Sequence, residues 1–184
     1  MKVEVLIGGA IVAGALLLGT VKRSDASSPM VPLPPRPKLP RRPYDPASRS
    51  FGLVGMRYGV PPNLLRAIAE QESSFNANAI GENRSKQTGK LLSTDWGMFQ
   101  LNDFALRWLG MTPDDARDPE KAIVGAARWL VQLRSELNNR KRFSRANWAA
   151  SYNTGSNLKP ADKAAAYSKA VLARWAAFDK RFPA

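Results

Sequence analysis

Pro61-Pro62-Asn63-Leu64-Leu65-Arg66-Ala67-Ile68-Ala69-Glu70-Gln71-Glu72 reads as a helix. Proline occupies its first turn, where a missing N–H costs least. Leu64, Leu65 and Ile68 share one face at helical spacing, and Glu72, four residues after Ile68, continues it. Glu70 points elsewhere and can stay in water. A carboxylate on a buried face is costly unless paired, and burial raises its pKa. A carboxylic acid held protonated near neutral pH is what general acid catalysis requires. The alternative is an acid at a helix end, rotated to the rim and paired with an arginine.

Three stretches stand in order along the chain: Glu72-Ser73-Ser74-Phe75-Asn76, then Ser93 to Asn102 (Ser-Thr-Asp-Trp-Gly-Met-Phe-Gln-Leu-Asn), then Trp148 to Gly155 (Trp-Ala-Ala-Ser-Tyr-Asn-Thr-Gly). Together they resemble the catalytic domain of soluble lytic transglycosylases and their lysozyme-like relatives. In that family a Glu-Ser pair ends the first core helix, a Gly-Leu-Met-Gln-like strand or turn follows, and an Ala-Tyr-Asn-x-Gly segment closes the sugar cleft. The resemblance implies a mainly α, lysozyme-like α+β domain with Glu72 as catalytic acid. It also implies substrate-binding roles for Ser73, Gly97, Met98, Gln100, Tyr152 and Asn153. Each residue also has a plainer reading. Gln100 can satisfy the backbone of a turn, Tyr152 and Asn153 can be core and cap residues, and Met98, Phe99 and Trp148 can be core or cleft wall.

The resemblance leaves the chemistry of Asp95 open. A hydrolytic glycosidase usually needs two carboxylates, and Ser93 to Asn102 also resembles the corresponding stretch of animal-type lysozymes. A lytic transglycosylase needs one. Asp95 is either a second catalytic carboxylate or a turn-forming aspartate. The chain departs from the family pattern in three places. The stretch between Glu72 and Gly97 is longer than in animal-type lysozymes, Gly81 stands where many transglycosylases carry serine, and Ser151 replaces the usual alanine.

Composition narrows the chemistry. The 184 residues include no cysteine and no histidine. Thiol, serine–histidine and histidine–metal chemistry are thereby excluded, and carboxylates must carry any acid–base work. No metal or organic cofactor is implied. The net charge of +13 suits an anionic polymer such as peptidoglycan, or a lipid surface. No nucleic-acid motif accompanies it. Arg140-Lys141-Arg142, with Arg145, reads as an exposed loop between helices.

The N-terminal part reads differently. Val5 to Val21 is uncharged but weakly hydrophobic, with glycine or alanine at positions 8, 9, 10, 13, 14, 15 and 19. Residues 1–26 are expected to be a signal peptide with a small-residue site at Ser24-Asp25-Ala26, a membrane anchor through residues 5–21, or a releasable anchor like those of certain phage endolysins. Lys22-Arg23 argue for a cytoplasmic C-terminal side; an enzyme acting on the wall argues the reverse and ranks higher. Residues 27–46 hold eight of the chain's 14 prolines and read as an extended linker. The folded domain is expected over residues 47–184.

Within it, the polar stretch from Asn76 to Ser93 reads as irregular. A strand or turn at 96–102 leads into a helix through Phe104, Leu106, Trp108 and Leu109. Asp118-Pro119-Glu120 starts a helix with Ile123, Ala126, Leu130, Leu133 and Leu137 on one face. The last helix, about 160–182, turns Ala164, Val171, Trp175 and Phe178 inward. Three functions follow: a lytic transglycosylase of the MurNAc–GlcNAc bond; a hydrolytic muramidase using Glu72 and Asp95; and a non-catalytic wall-binding part of an envelope machine or virion. The expected location is the inner membrane facing the periplasm or an exported form, with a virion-associated protein or phage endolysin as the alternative.

Overall fold

The computed structural model describes residues 43–183. The elements run α1 Arg49–Tyr58, α2 Pro62–Ser73, β1 Ile80–Arg84, β2 Leu91–Trp96, β3 Leu101–Asn102, α3 Asp103–Leu109, α4 Pro113–Arg117, α5 Pro119–Asn139, α6 Arg145–Thr154 and α7 Ala161–Arg181. The fold is mainly helical with one small antiparallel sheet in the order β1-β2-β3. Among the described residues no helix is long and apolar enough to cross a membrane. The expected segment at 5–21 and most of the proline-rich linker lie outside the described residues.

Helix α2 is the centre of the helical body. The sequence predicts one apolar stripe, but every residue from Asn63 to Ala69 is buried. Hydrogen bonding explains how Asn63 and Arg66 join them. Arg66 Nε donates to the Pro46 carbonyl at 2.7 Å and Nη1 to Asn63 Oδ1 at 2.9 Å. Its guanidinium lies between the rings of Phe51 and Phe182, 5.0 and 4.7 Å from their centroids. Asn63 Nδ2 donates to Asp179 Oδ1 and the Phe182 carbonyl. Leu64, Leu65 and Ile68 are fully buried, each contributing roughly 1.5–3 kcal/mol. Helices α1, α5 and α7 pack around α2.

Two successive left-handed residues, Ser74 and Phe75, stop α2 just beyond Glu72. Their N–H groups bond the carbonyls of Glu70 and Ala69 at 3.0 and 3.2 Å. The turn throws Phe75 back between Phe51 and Phe178, edge to face with both. The chain just before Ala47, at the end of the expected linker, also packs on the helices. The Tyr44 N–H bonds the Phe75 carbonyl at 2.8 Å and the Tyr44 ring packs on Phe51.

The expected start of α5 is present: Asp118 Oδ1 accepts from the N–H groups of Glu120 and Lys121. Ile123, Ala126, Leu130, Leu133 and Leu137 are all buried. The stretch read as irregular is instead largely a hairpin, β1 and β2. Its strands are mostly exposed and polar, so no alternation of apolar residues marked them. Gly81 stands opposite Asp95 and Asn83 opposite Ser93.

Candidate active site

A small polar recess of about 130 Å³ lies between the end of α2, the sheet and the ends of α6 and α7. Its walls are Glu72, Asn83, Asp95, Gln100, Asn102, Tyr152, Asn153 and Lys163. It joins the end of α2 to both later motifs, Asn153 lying 81 residues beyond Glu72 in the chain.

Glu72 is partly buried, and among the described residues no arginine pairs with it. Its Oε1 accepts a hydrogen bond from the Tyr167 hydroxyl. Burial pushes the carboxyl up to about 7 from the ordinary 4.5; the Tyr167 bond opposes this, the charge of Asp95 adds to it, and Lys163 opposes it. At neutral pH Glu72 thus populates both the acid and the carboxylate. The Tyr167 phenol is held well above its ordinary value, by burial first and by Glu72 second, so it remains a donor.

Asp95 projects from β2 into the same recess. Asn83 Nδ2, on the facing strand, donates to Asp95 Oδ2 at 2.9 Å and to Ser93 Oγ at 3.0 Å. Burial is the main cause raising the Asp95 pKa, the Asn83 bond lowers it, and Asp103 adds repulsion. Asp103 in turn fixes β2 from behind: its oxygens accept from Thr94 N–H at 2.8 Å and Trp96 Nε1 at 3.0 Å.

The turn from Gly97 to Gln100 forms the floor. Gly97 has φ 71°, and a Cβ there would run into the Ala116 carbonyl, so only glycine fits. Gln100 Nε2 donates to the Gly97 carbonyl at 2.8 Å, the turn-satisfying role, while the side chain also lines the recess. Gln100 thus satisfies the turn and also faces the recess. Its Oε1 lies 2.8 Å from where a Gly81 Cβ would stand. The glutamine carboxamide therefore occupies the space a serine would need at 81.

Two hydroxyls pin this floor to the helices. Ser73 Oγ donates to the Met98 carbonyl at 2.8 Å and accepts from Asn76 N–H at 3.0 Å. The Tyr152 hydroxyl donates to the Phe99 carbonyl at 2.9 Å. Tyr152 thus holds the floor, and the phenol on the Glu72 carboxyl is Tyr167. Met98, expected at the substrate, is fully buried, and neither it nor Gly97 or Ser73 reaches the recess as a wall. These three shape the site through the backbone. Asn153 is exposed and does line it. Trp148 is core: its Nε1 donates to the Leu130 carbonyl at 2.8 Å.

Tyr167, Lys163, Asn83 and Asn102 were not singled out by sequence. Tyr167 carries the same signal that exposed Glu72, a polar group on a face already marked by Ala164 and Val171. Lys163 lies one turn before it. Asn83 was invisible because the hairpin was.

Comparison with known proteins bears on the family and the fold. IpgF of Shigella flexneri is 30% identical over 129 residues, 66% of this chain and 76% of that protein. Invasion protein IagB of Salmonella typhimurium (strain SL1344) is 32% identical over 121 residues, 62% of this chain and 67% of that one. The fold is similar to that of the lytic transglycosylase Slt of Pseudomonas aeruginosa, solved as an inactive mutant, with TM-score 0.52 and 21% identity. That likeness covers 73% of this chain but 24% of Slt, and it is one of fold. The Transglycosylase SLT domain family matches residues 51–173, which take in the end of α2, the sheet and both later helices of the recess. The chain belongs to the Transglycosylase SLT domain family of peptidoglycan-cleaving enzymes.

Proposed function

We propose that this protein is a lytic transglycosylase that cuts the β-1,4 bond between N-acetylmuramic acid and N-acetylglucosamine. The observation that carries this is Glu72: a desolvated carboxyl with pKa about 7, held by one phenol and open to a polar recess. Protonated Glu72 gives its proton to the glycosidic oxygen as the bond to C1 breaks. The resulting carboxylate takes the proton of the muramic acid C6 hydroxyl as that oxygen attacks C1. The product is a 1,6-anhydro end, and no water is consumed. A pKa near the working pH suits one group that must first give and then take a proton. Gln100, Asn102, Asn153 and Lys163 supply donors toward the sugar.

Peptidoglycan lies outside the cytoplasmic membrane, so the domain acts as an exported or membrane-tethered enzyme. In this reading residues 1–26 are the signal or anchor and 27–46 the spacer.

Mass analysis of muropeptides released from purified sacculi tests the reaction. Anhydro-muramyl ends from the wild type, absent with Glu72→Gln, are the expected result. The second reading, a hydrolytic muramidase, is favoured by one observation, the presence of Asp95 in the same recess. Reducing ends without any anhydro form, together with an inactive Asp95→Asn, would establish it instead.

A further inference from the structure

A second polar recess, of about 500 Å³, opens between the α5–α6 connection and the α6–α7 connection. Arg140, Arg142, Asn157 and Lys159 line it. Three of the four are cations and none is an acid. All four are exposed, and among the described residues none of the three cations has a carboxylate within 4.0 Å. Like charges left together without partners repel one another, and an anion relieves that repulsion.

Backbone bonds hold both walls. On one side the N–H groups of Arg140, Lys141 and Arg142 bond the carbonyls of Glu136, Asn138 and Leu137 at 3.1, 2.9 and 2.8 Å. Those bonds occupy the last carbonyls of α5, which would otherwise repel an anion. Asn147 Nδ2 donates to the Arg142 carbonyl at 2.7 Å. On the other side Leu158 N–H bonds the Gly155 carbonyl at 3.1 Å. Glu136, the acid behind this loop, is already taken up by the Ser156 hydroxyl and by Gln132 Nε2.

The recess is tied to the catalytic cleft by a short piece of chain. Asn153 and Lys163 both line the cleft, and Asn157 and Lys159 fall between them. Four residues of chain reach at most about 15 Å, so Asn157 stands within that distance of Asn153. A peptide of four or five residues spans the same length. Lys163 at the cleft and Lys159 at the recess offer cations toward both ends of such a peptide.

We infer that this recess binds the free carboxylates of the peptide carried by the muramic acid, so that peptide-bearing strands are preferred over bare glycan. The inference rests on the proposed wall-cleaving function. The test compares the full chain with the triple variant Arg140→Ala, Arg142→Ala, Lys159→Ala on two substrates: intact sacculi, and glycan strands stripped of peptide by an amidase. The variant is expected to lose about tenfold in kcat/KM on intact sacculi and less than twofold on stripped strands. Raising salt should erase the wild type's preference. The charge-conserving variant Arg140→Lys, Arg142→Lys, Lys159→Arg should retain it. Equal loss on both substrates, or no loss on either, overturns the inference. So does a triple variant that loses only its sedimentation with phosphatidylglycerol vesicles, which would assign the patch to a lipid surface. A wild type inactive on both substrates removes the proposed function itself, and is thereby distinguishable.

Discussion

The two halves of α2 bury opposite charges in opposite ways. At its start Arg66, 6% exposed, has a carbonyl, an amide oxygen and two aromatic faces as partners. At its end Glu72 has a single hydrogen-bond donor and faces a recess. Burial strains both groups, lowering the Arg66 pKa and raising that of Glu72. The fold compensates Arg66 and leaves Glu72 undercompensated. A buried charge with every partner in place is a structural part; one with a partner missing, beside open space, is a reactive one.

The strongest way to break this contrast is Glu72→Gln. It should cost at least about 100-fold in rate on peptidoglycan while leaving the fold intact, as read by turbidity clearing and circular dichroism. Stability should change with a definite sign. The folded pKa of Glu72, about 7, lies above the ordinary 4.5, so the folded state holds the proton more tightly. That stabilising contribution is complete below about pH 4.5 and is lost as pH rises through 7. Glu72→Gln should therefore be more stable than wild type by about 1–3 kcal/mol at pH 8, and nearly equal to it at pH 4, in urea unfolding.

Arg66→Ala should do the reverse. Loss of about 3 kcal/mol of stability is expected from the stranded Asn63 and the emptied space between two rings. Specific activity of the folded fraction should be near normal. A Arg66→Ala protein that melts like wild type would show that the partners around Arg66 are incidental.

Smaller effects sharpen the comparison at Glu72 alone. Asp95 raises the Glu72 pKa by repulsion, whereas the Tyr167 hydrogen bond lowers it. With Asp95→Asn, the alkaline limb of the pH–rate profile should move toward acid, with a few-fold loss at pH 7 that recovers at pH 5 to 6. An Asp95→Asn enzyme dead at every pH would make Asp95 a reacting group. With Tyr167→Phe, the same limb should move toward alkali, and the rate should fall less than tenfold. Shifts of the same sign in both variants would refute the assigned electrostatics.

The helical body was legible where apolar residues recur at helical spacing, although α2 proved buried all round from Asn63 to Ala69. The stripe from Ile123 to Leu137 and the proline-marked starts of α2 and α5 each declare a helix and its inner face. Glu72 was legible for the same reason, as a polar intruder in an apolar series. The hairpin was not, since Gly81, Glu82, Asn83 and Arg84 bury little and pair through backbone bonds that leave no hydropathy trace. With it went Asn83 and the cause of glycine at 81. The family motif points to Tyr152, whose hydroxyl is given to the Phe99 carbonyl. Only the packing of α7 on α2 shows that Tyr167, 95 residues away, is the phenol that meets the acid.

The two hydroxyl pins under the recess also divide the sheet by rate of opening. Ser73 on Met98 and Tyr152 on Phe99 bind the turn at 97–100 to α2 and α6. The far end of the hairpin, around residues 85–90, is held by the Ser85–Lys90 and Gly89–Ser85 backbone bonds and is almost wholly exposed. Amide hydrogens at the turn are expected to exchange with solvent only through unfolding of the helical body, and those at the hairpin tip through local fraying, in native-state hydrogen exchange. The exposed hairpin tip can thus fray while the turn beside Glu72 stays pinned.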